Sequence, residues 1–431
     1  MRNVFERSAN RSNGNNVAYC YSTGNLNNNN ANNGNYCAPD CVAKAGYIGI
    51  PSDRSPATQS KEPPSCACGR EQIVGPHAPA LRGGGASAAP AFDDAFGFEP
   101  LLEAGCKCLR GVMWKGTSEH AYLHMVETVS RLCDELHAGT YRMRPAREFA
   151  VTSPKVRTIS SIALSDRIVQ RSLNDNVIYP IMSRSWIYDN YACQHGKGTD
   201  FARARMSRHL ERFSREHGEG YALKVDVRGY YAHMLHSVVD ARFASKLPGW
   251  AADFASWALS AQYGGEVGYK PGSQMVQIAG IDYLDPLDHA IKERMGARYY
   301  GRYMDDLILI DESRGYLESC LAEITRRLGF VGLGPHPGKT AIQPLSKPLG
   351  FLGFDYRVRD GGVRMDVKPE KVKAQKRRMR GLARLVKCGR VGLPDYLSAV
   401  ECMAAHDAKG GDASLAPRLK AYGGMLLMKG A

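Results

Sequence analysis

The ten residues Gly301–Ile310, which read GRYMDDLILI, are the clearest indication of the fold. Two adjacent carboxylates, Asp305 and Asp306, lie between an aromatic flank and an apolar, β-branched flank. Both flanks have the composition of strands, so the pattern predicts a β-hairpin with the carboxylates at its turn. Like charges this close repel unless a cation neutralises them, and Mg²⁺ prefers carboxylate oxygens. The stretch therefore indicates a magnesium site, although an ordinary polar turn would also fit it.

The composition limits the class of protein. The chain has 431 residues, a hydrophobic content of 44% and a formal net charge of +14. The length predicts roughly two or three domains, and the basic balance indicates a polyanionic partner such as nucleic acid or an acidic membrane surface. No apolar run is long enough to span a bilayer, and the N-terminus lacks the apolar core of a signal peptide. We therefore expect a cytoplasmic protein without a membrane partner, whose cysteines are reduced thiols.

The N-terminal part has an irregular composition. Residues 1–36 contain 13 Asn, which predicts an irregular leader over 1–50. Residues 51–95 are rich in Pro, Gly, Ala and Ser, which is typical of a linker. Seven of the twelve cysteines lie between Cys20 and Cys108, in one C-x3-C and two C-x-C pairs. Zinc binding stays open there beside plain thiols, although no C-x2-C or H-x3-H pair supports it.

A third carboxylate belongs with the first two. Tyr221–Val227 is predicted as a strand, and Asp226 lies near its end. The predicted order around the hairpin is β-α-β-β-α-β, the order of a ferredoxin-like split unit, in which the first strand lies beside the hairpin. Nucleotidyl transfer with two divalent cations needs carboxylates from separate strands at one point. The sequence therefore predicts an α+β fold with Asp226 next to Asp305 and Asp306.

Several segments resemble motifs of reverse transcriptases, in the family's order and over about residues 100–410. Tyr303–Asp306 matches the family's Tyr-x-Asp-Asp turn, and Lys224–Tyr231 resembles its first palm motif. Lys155–Ser160 resembles the fingers motif that holds the incoming triphosphate, and Gly350–Phe354 resembles the primer grip. Lys339 aligns with the lysine that protonates the leaving pyrophosphate. The resemblance implies a right-hand polymerase with fingers, a ferredoxin-like palm and a helical thumb.

The resemblance also implies an activity and a set of roles. The expected activity is RNA-directed DNA polymerisation, a nucleotidyl transfer in which two Mg²⁺ ions, with Mn²⁺ as an alternative, act on dNTPs, template RNA and cDNA. Fingers and palm would occupy 96–361, and a basic thumb 362–431. The implied catalytic residues are Asp226, Asp305, Asp306 and Lys339, and the implied metal ligands are Asp226, Asp305 and the backbone of Val227. The implied nucleotide-binding residues are Lys155, Arg157, Tyr231, Gly272 and Gln277.

Two of these roles have a plain physical reason. An arginine such as Arg157 recognises phosphate bidentately, which suits the grip on a triphosphate. Tyr231, five residues after Asp226, takes the place of the family's aromatic residue that excludes a 2′-hydroxyl, which favours deoxynucleotides.

Basic side chains are expected to contact phosphates. Residues 368–390 contain ten Lys or Arg against one acid, Glu370, and a face of charge +9 is unfavourable without a polyanion. The predicted nucleic-acid-binding residues are Arg167, Arg171, Lys197, Lys373, Arg377 and Arg380.

Arg147–Phe149, Asp166–Gln170 and Tyr191–Cys193 resemble the reverse transcriptases of diversity-generating retroelements. These bacterial or phage-encoded enzymes copy a template-repeat RNA with errors at adenines and act with a small basic accessory protein. Their template-binding segment more often reads Gly, two residues, Thr-Ser-Gln, whereas Met275 and Val276 depart from it here. Adenine-directed mutation acts productively on Asn codons, so the Asn-rich leader is interpreted either as derived from a template repeat or as ordinary low-complexity sequence.

Two rival interpretations remain. The first is a bacterial defence or retron-type reverse transcriptase, which neighbouring genes would reveal. The second is a non-catalytic RNA-binding module on a polymerase scaffold, against which the three intact carboxylates argue.

Overall fold

The computed structural model describes residues 89–113, 115–151, 157–270, 272–359 and 362–428. The predicted leader, the linker up to residue 88 and the cysteines up to Cys68 lie outside these residues. The described chain forms two compact units, of which the first ends at Arg364 and the second begins at Met365. The predicted boundary of the thumb, between 361 and 362, stays a prediction.

The first unit begins with helices that pack around aromatic side chains. Helix α1 starts at Phe92, inside the last residues assigned to the linker, because Phe92 and Phe96 pack edge-on against Trp250. An antiparallel pair of strands then precedes further helices. The elements are α1 Phe92–Phe96, α2 Phe98–Leu109, α3 Gly116–Leu123, α4 Met125–His137, β1 Arg147–Val151, β2 Arg157–Ser161, α5 Leu164–Leu173, a π-helical segment Asn174–Ile178, α6 Tyr179–Met182 and α7 Thr199–His217.

A four-stranded antiparallel sheet, called the central sheet below, carries the predicted carboxylates. Its strand order is β4-β5-β3-β6, so the first strand lies directly beside the second strand of the hairpin. This arrangement confirms the predicted split unit. The strands are β3 Tyr221–Asp226, β4 Tyr299–Tyr303, β5 Asp306–Asp311 and β6 Ala341–Pro344. The helices between them are α8 Tyr230–His233, α9 His236–Lys246, α10 Gly249–Gln262, α11 Gln274–Tyr283, α12 Asp285–His289, a π-helical segment Ala290–Arg294 and α13 Arg314–Phe330.

The two faces of the central sheet carry different kinds of side chain. Leu223, Val225, Leu307 and Leu309 belong to the buried core on one face, and α13 packs there. Alternation along the strands turns the side chains between them, which include those of Asp226 and Asp306, to the other face. The apolar face anchors the hairpin, since burial of each such side chain is worth roughly 1.5–3 kcal/mol.

A second, three-stranded sheet follows, of order β7-β8-β9. The tight turn between its first two strands uses two left-handed residues, Leu352 (φ +44°) and Gly353 (φ +87°). The strands are β7 Leu349–Phe351, β8 Phe354–Arg359 and β9 Gly362–Val367.

The second unit is helical beyond the end of β9, as predicted for a thumb. Tyr396, Met379 and Leu419 form the centre of its core and are fully buried. Lys373, Arg377 and Arg380 are exposed at positions i, i+4 and i+7, and so share one face of the basic helix. No described helix has the length and apolar content needed to cross a membrane. The helices are α14 Pro369–Lys387, α15 Leu393–Asp407 and α16 Leu415–Met428.

Candidate active site

The hairpin turn between β4 and β5 is held in a strained conformation. Met304 has φ +51°, in the left-handed region that a non-glycine residue rarely adopts. Arg302, which is fully buried, donates to the Met304 carbonyl at 3.2 Å and to the Ile281 carbonyl at 2.8 Å. The same guanidinium binds the buried carboxylate of Asp288 at 2.6 Å. The turn that presents Asp305 is therefore fixed from inside the core.

The third carboxylate lies directly beside this turn. Asp226 is paired in register with Asp306 across β3 and β5. One residue further, the Val227 amide donates to the Asp305 carbonyl at 2.9 Å. The structure therefore brings Asp226, Asp305 and Asp306 together at one end of the central sheet, as the strand order predicted.

The electrostatics of this cluster oppose full ionisation. Burial, followed by the charges of Asp306 and Asp226, raises the pKa of Asp305 to about 6. Burial also raises the pKa of Asp306, although Lys224 opposes the rise. Lys224 Nζ is 3.5 Å from Asp306 Oδ1 but is not placed to donate to it, and among the described residues no other group does.

Lys339 occupies the remaining side of the cluster. Its Nζ donates to both carboxylate oxygens of Asp226, at 2.9 and 3.0 Å. This hydrogen bond raises the pKa of the Lys339 ammonium. The loop that carries it is tied to β3, because the His336 amide donates to the Asp226 carbonyl at 2.7 Å. The predicted proton donor is therefore hydrogen-bonded to a predicted metal ligand.

The oxygen atoms of this cluster suit a Mg²⁺ ion that is also coordinated by a substrate. The cluster offers hard oxygen donors, carries more carboxylates than nearby lysines, and contains a buried oxygen without a donor. In the part of the chain that the structure describes, no three or more His, Cys, Asp or Glu side chains are placed so that they could hold a metal ion by themselves. Mg²⁺ is commonly held by one or two carboxylates together with substrate phosphates. Asp226, Asp305 and the Val227 carbonyl are the groups that would hold it here.

The aromatic residue expected beside the nucleotide sugar is next to the turn. The Tyr231 hydroxyl donates to Met304 Sδ at 3.5 Å. Its ring covers Gly280 of α11, where an added Cβ would lie only 3.0 Å from the ring. Burial raises the pKa of Tyr231 well above its usual value. The side chain is therefore neutral and confined against the catalytic hairpin.

Residues 150–356 match the family described as reverse transcriptase (RNA-dependent DNA polymerase). The chain contains a reverse transcriptase domain. The matched segment runs from the end of β1 to the middle of β8 and includes the three carboxylates. The predicted α+β class and the reverse-transcriptase-like fold are confirmed.

Other comparisons are more distant. Among curated proteins, none matches the chain. One similar solved structure is a telomerase from Candida albicans in complex with a TWJ fragment of telomeric RNA, with a TM-score of 0.41, 10% identity, and coverage of 67% of this chain and 61% of that one. Another is an apo telomerase from Candida tropicalis, truncated from the C-terminal domain, with a TM-score of 0.39, 12% identity, and coverage of 52% and 55%. The chain thus spans less than two thirds of either telomerase.

The predicted template-binding segment of the reverse transcriptase domain lies against the β1–β2 hairpin. An added Cβ on Gly272 would lie 2.1 Å from the Ser160 carbonyl oxygen, so only glycine fits there. Gln277 lies half-buried in the first turns of α11. Met275 and Val276, which depart from the subfamily pattern, are fully buried in the core. Their side chains therefore serve packing.

The predicted phosphate-binding residues of the domain have unequal surroundings. Lys155 lies outside the described residues, and Arg157 is placed as the first residue of β2. Arg171 donates to Asp175 at 2.9 Å and is largely buried, while Arg167 is half-buried. Lys197 donates to the carbonyls of two loop residues at 2.9 and 3.0 Å, and burial lowers its pKa to about 8. Phosphate contacts by these residues stay predictions.

Sequence reasoning missed the pair of Arg302 and Asp288. The available signal was an arginine inside an otherwise apolar strand, two residues before the turn. Such a residue needs a buried acid, because an unpaired buried charge is very unfavourable.

Proposed function

We propose that this protein is an RNA-directed DNA polymerase that joins deoxynucleotides to a primer by two-metal nucleotidyl transfer. The observation that carries the proposal is the meeting of Asp226, Asp305 and Asp306 at one end of the central sheet, inside the matched domain. Their charge is not fully compensated by the protein, and a carboxylate with a strongly perturbed pKa at such a place is a candidate for function.

The chain's own residues orient the reactants. Asp226 and Asp305, with the Val227 carbonyl, would hold Mg²⁺, which when bound acts as a Lewis acid on the attacking oxygen and the phosphates. Asp306 supports the cluster and faces Lys224. Arg302 keeps the turn at one geometry by its bond to the Met304 carbonyl. Tyr231 borders the position of the sugar, so that a 2′-hydroxyl is excluded and dNTPs are selected.

Lys339 supplies the proton in this proposal. Its raised pKa keeps Nζ protonated at neutral pH. The side chain is 51% exposed, so the ammonium can leave Asp226 and reach a phosphate in the cleft. It then donates its proton to the departing pyrophosphate, as general acids do in transfer reactions.

We further propose that the template is a template-repeat RNA and that the cDNA carries errors at adenines. This proposal rests on the resemblance of Arg147–Phe149, Asp166–Gln170 and Tyr191–Cys193 to diversity-generating retroelements, and on the Asn-rich leader. A small basic accessory protein would then be a partner.

Primer extension tests the activity. The purified chain, a DNA primer on an RNA template, dNTPs and Mg²⁺ should yield extended primer. The variant Asp305→Ala/Asp306→Ala should keep the circular dichroism spectrum and RNA affinity of the wild type while losing extension. Equal extension by this variant would refute the assignment of the site. Bound template without extension by the wild type would favour the non-catalytic RNA-binding module.

Sequencing of the product and of the flanking DNA tests the finer proposal. We expect substitutions mainly opposite template adenines, and a neighbouring gene with a near-identical repeat that differs at adenines. Faithful cDNA beside a structured-RNA or toxin-like gene would instead indicate a retron or defence enzyme.

A further inference from the structure

One face of α7 carries a stripe of arginines that the catalytic proposal does not use. Arg205, Arg208, Arg212 and Arg215 follow one another at spacings of three, four and three residues. Such spacing places all four on one side of a helix, over about 15 Å. Arg208, Arg212 and Arg215 are exposed. The opposite side of α7 is buried, and its Phe213 packs edge-on against Tyr299 of the central sheet.

The stripe has more cations than acids around it. Its side chains line a depression of about 210 Å³ together with His209 and Glu211. Arg205 binds the buried Asp189 at 2.7 Å, and Arg212 lies 3.5 Å from Glu216. Lys292 and Arg298 share these same two acids, which leaves positive charge in excess. In the described chain no carboxylate pairs with Arg208 or Arg215.

An exposed aromatic ring stands at one end of the stripe. Tyr188 is 60% exposed, so much of its ring is open to solvent. The Arg205 guanidinium lies 5.1 Å from its ring centre, and Lys197 Nζ lies 5.2 Å away. Cations beside an open aromatic face are the combination on which single-stranded nucleic acids bind, with bases stacked on the ring and phosphates on the cations.

The arginine stripe runs from near the catalytic hairpin turn towards the opposite end of β4. Three residues from Tyr188, the Tyr191 amide donates to the Arg302 carbonyl at 2.9 Å, close to the turn. The other end of α7 lies by Tyr299, where β4 begins, because Glu216 of α7 bonds both the Tyr299 hydroxyl and Arg298. The two ends are therefore separated by about the length of the strand pair, on the order of 15–20 Å.

We propose that Tyr188, Arg205, Arg208, Arg212 and Arg215, called the α7 surface, bind a single-stranded nucleic acid that continues from the duplex in the active site. The inference rests on the proposed function, since it extends the path of a strand that the polymerase already holds. The exposed tyrosine favours a nucleic acid over an acidic protein, because every base has a face that stacks on the ring and an acidic side chain has none. Arginine suits the phosphates because its planar fork binds them bidentately.

Primer–template duplexes with and without single-stranded tails test the surface. One duplex carries no tail, and others carry a tail of about 20 nucleotides, RNA or DNA, on the template's 5′ or 3′ end, longer than most single-strand sites. Fluorescence anisotropy gives the dissociation constant of each. For the wild type, we expect a tail at one end to tighten binding by about tenfold, and the RNA and DNA arms show which strand is preferred.

The variant Arg208→Gln/Arg212→Gln/Arg215→Gln should lose this gain while binding the tail-free duplex as the wild type does. The salt dependence of tail binding should also fall, by a slope of about 0.7 for each phosphate that the variant no longer neutralises. In Tyr188→Ala, the gain in affinity that the tail confers should be several-fold smaller, whereas Tyr188→Phe should retain the full gain. The matched control is Arg131→Gln/Arg314→Gln/Arg326→Gln, which removes three exposed helical arginines elsewhere and should keep the full gain.

The outcomes separate the two proposals. An arginine-dependent gain in a protein that does not extend primers would support the α7 surface and refute the polymerase. Extension without any tail-dependent gain, or an undiminished gain in the triple variant, would overturn the α7 surface alone. Competition by poly-glutamate as strong as that by single-stranded RNA of equal charge would assign the surface to an acidic protein, and would also overturn the proposal.

Discussion

Two groups of three aspartates in this molecule have opposite relations to positive charge. The catalytic cluster is Asp226, Asp305 and Asp306. The second group, called the buried acidic ladder, comprises Asp282, Asp285 and Asp288, three residues apart along α11 and α12 and fully or almost fully buried. Both groups lie in the same domain, and both contact the catalytic hairpin or the elements that support it.

The ladder is compensated by the protein itself. Asp282 accepts from Arg242 at 2.7 Å, from Lys246 at 2.6 Å and from the Trp186 indole at 2.8 Å. Asp288 is bound by Arg302. In the catalytic cluster, by contrast, burial and the charges of Asp306 and Asp226 raise the pKa of Asp305 to about 6. The fold depends on the cations of the ladder, because removing one would leave an unpaired buried charge, whereas we expect the catalytic cluster to pair with a bound metal ion.

The largest expected effect concerns activity at the catalytic cluster. Asp305→Asn should reduce the rate of primer extension by about 10³-fold or more, because a metal ligand is removed. The free energy of unfolding should stay unchanged or rise by about 1–3 kcal/mol, because a disfavoured buried charge is removed. Extension assays and urea denaturation measure both. A clear loss of stability would mean that Asp305 belongs with the ladder.

The converse is expected for the ladder. Arg302→Met leaves Asp288 buried without its cation, and the free energy of unfolding should fall by about 3–5 kcal/mol. The double variant Arg302→Met/Asp288→Leu should recover most of this loss, since neither charge is then left unpaired. If the single variant loses activity but less than about 1 kcal/mol of stability, the contrast between the two groups fails.

The pH dependence sharpens the contrast. The pKa of Asp305 is higher in the folded protein than its ordinary value of 3.8, at about 6. The folded state therefore keeps this proton up to a higher pH than the unfolded state does. Without Mg²⁺, the free energy of unfolding should fall by up to about 3 kcal/mol as the pH rises from about 4 to about 6. Asp305→Asn should remove this slope. Below about pH 6, Mg²⁺ affinity in calorimetric titrations should weaken by about tenfold per pH unit as the proton competes.

The smallest expected effect is the change in stability on replacing Lys339, the lysine of the catalytic cluster, and it is compared with the replacement of Lys246 in the ladder. Lys339→Gln removes a half-exposed partner of Asp226, so the free energy of unfolding should change by less than about 1 kcal/mol. Mg²⁺ should bind up to about fivefold more tightly, because the ammonium no longer competes for the carboxylate. Lys246→Gln is the matched control in the ladder and should be clearly more destabilising, with no change in Mg²⁺ affinity. Equal losses of stability from the two changes would contradict the comparison.

Much of the fold followed from local patterns. The hairpin at Gly301–Ile310, the strand that ends near Asp226 and the order of the split unit were predicted from alternation and spacing, and the strand order of the sheet confirms them. Lys197 shows where such reasoning ends. Its predicted contact with phosphate stays a prediction, and what the sequence did not indicate is that its ammonium donates to carbonyls seven and nine residues earlier, in a loop whose shape no periodicity predicts.

The sequence by itself determined the class of fold and the reverse transcriptase motifs, and it predicted the three carboxylates that the structure brings together, because strand periodicity and motif spacing depend on residues close together in the chain. Only the tertiary structure decided which charges meet. Lys339 is 113 residues from Asp226, and Arg302 is 14 residues from Asp288 across a helix–strand contact. Burial and strand register place these groups within 3 Å of each other, and they thereby decide which acids the protein neutralises and which it leaves for a ligand.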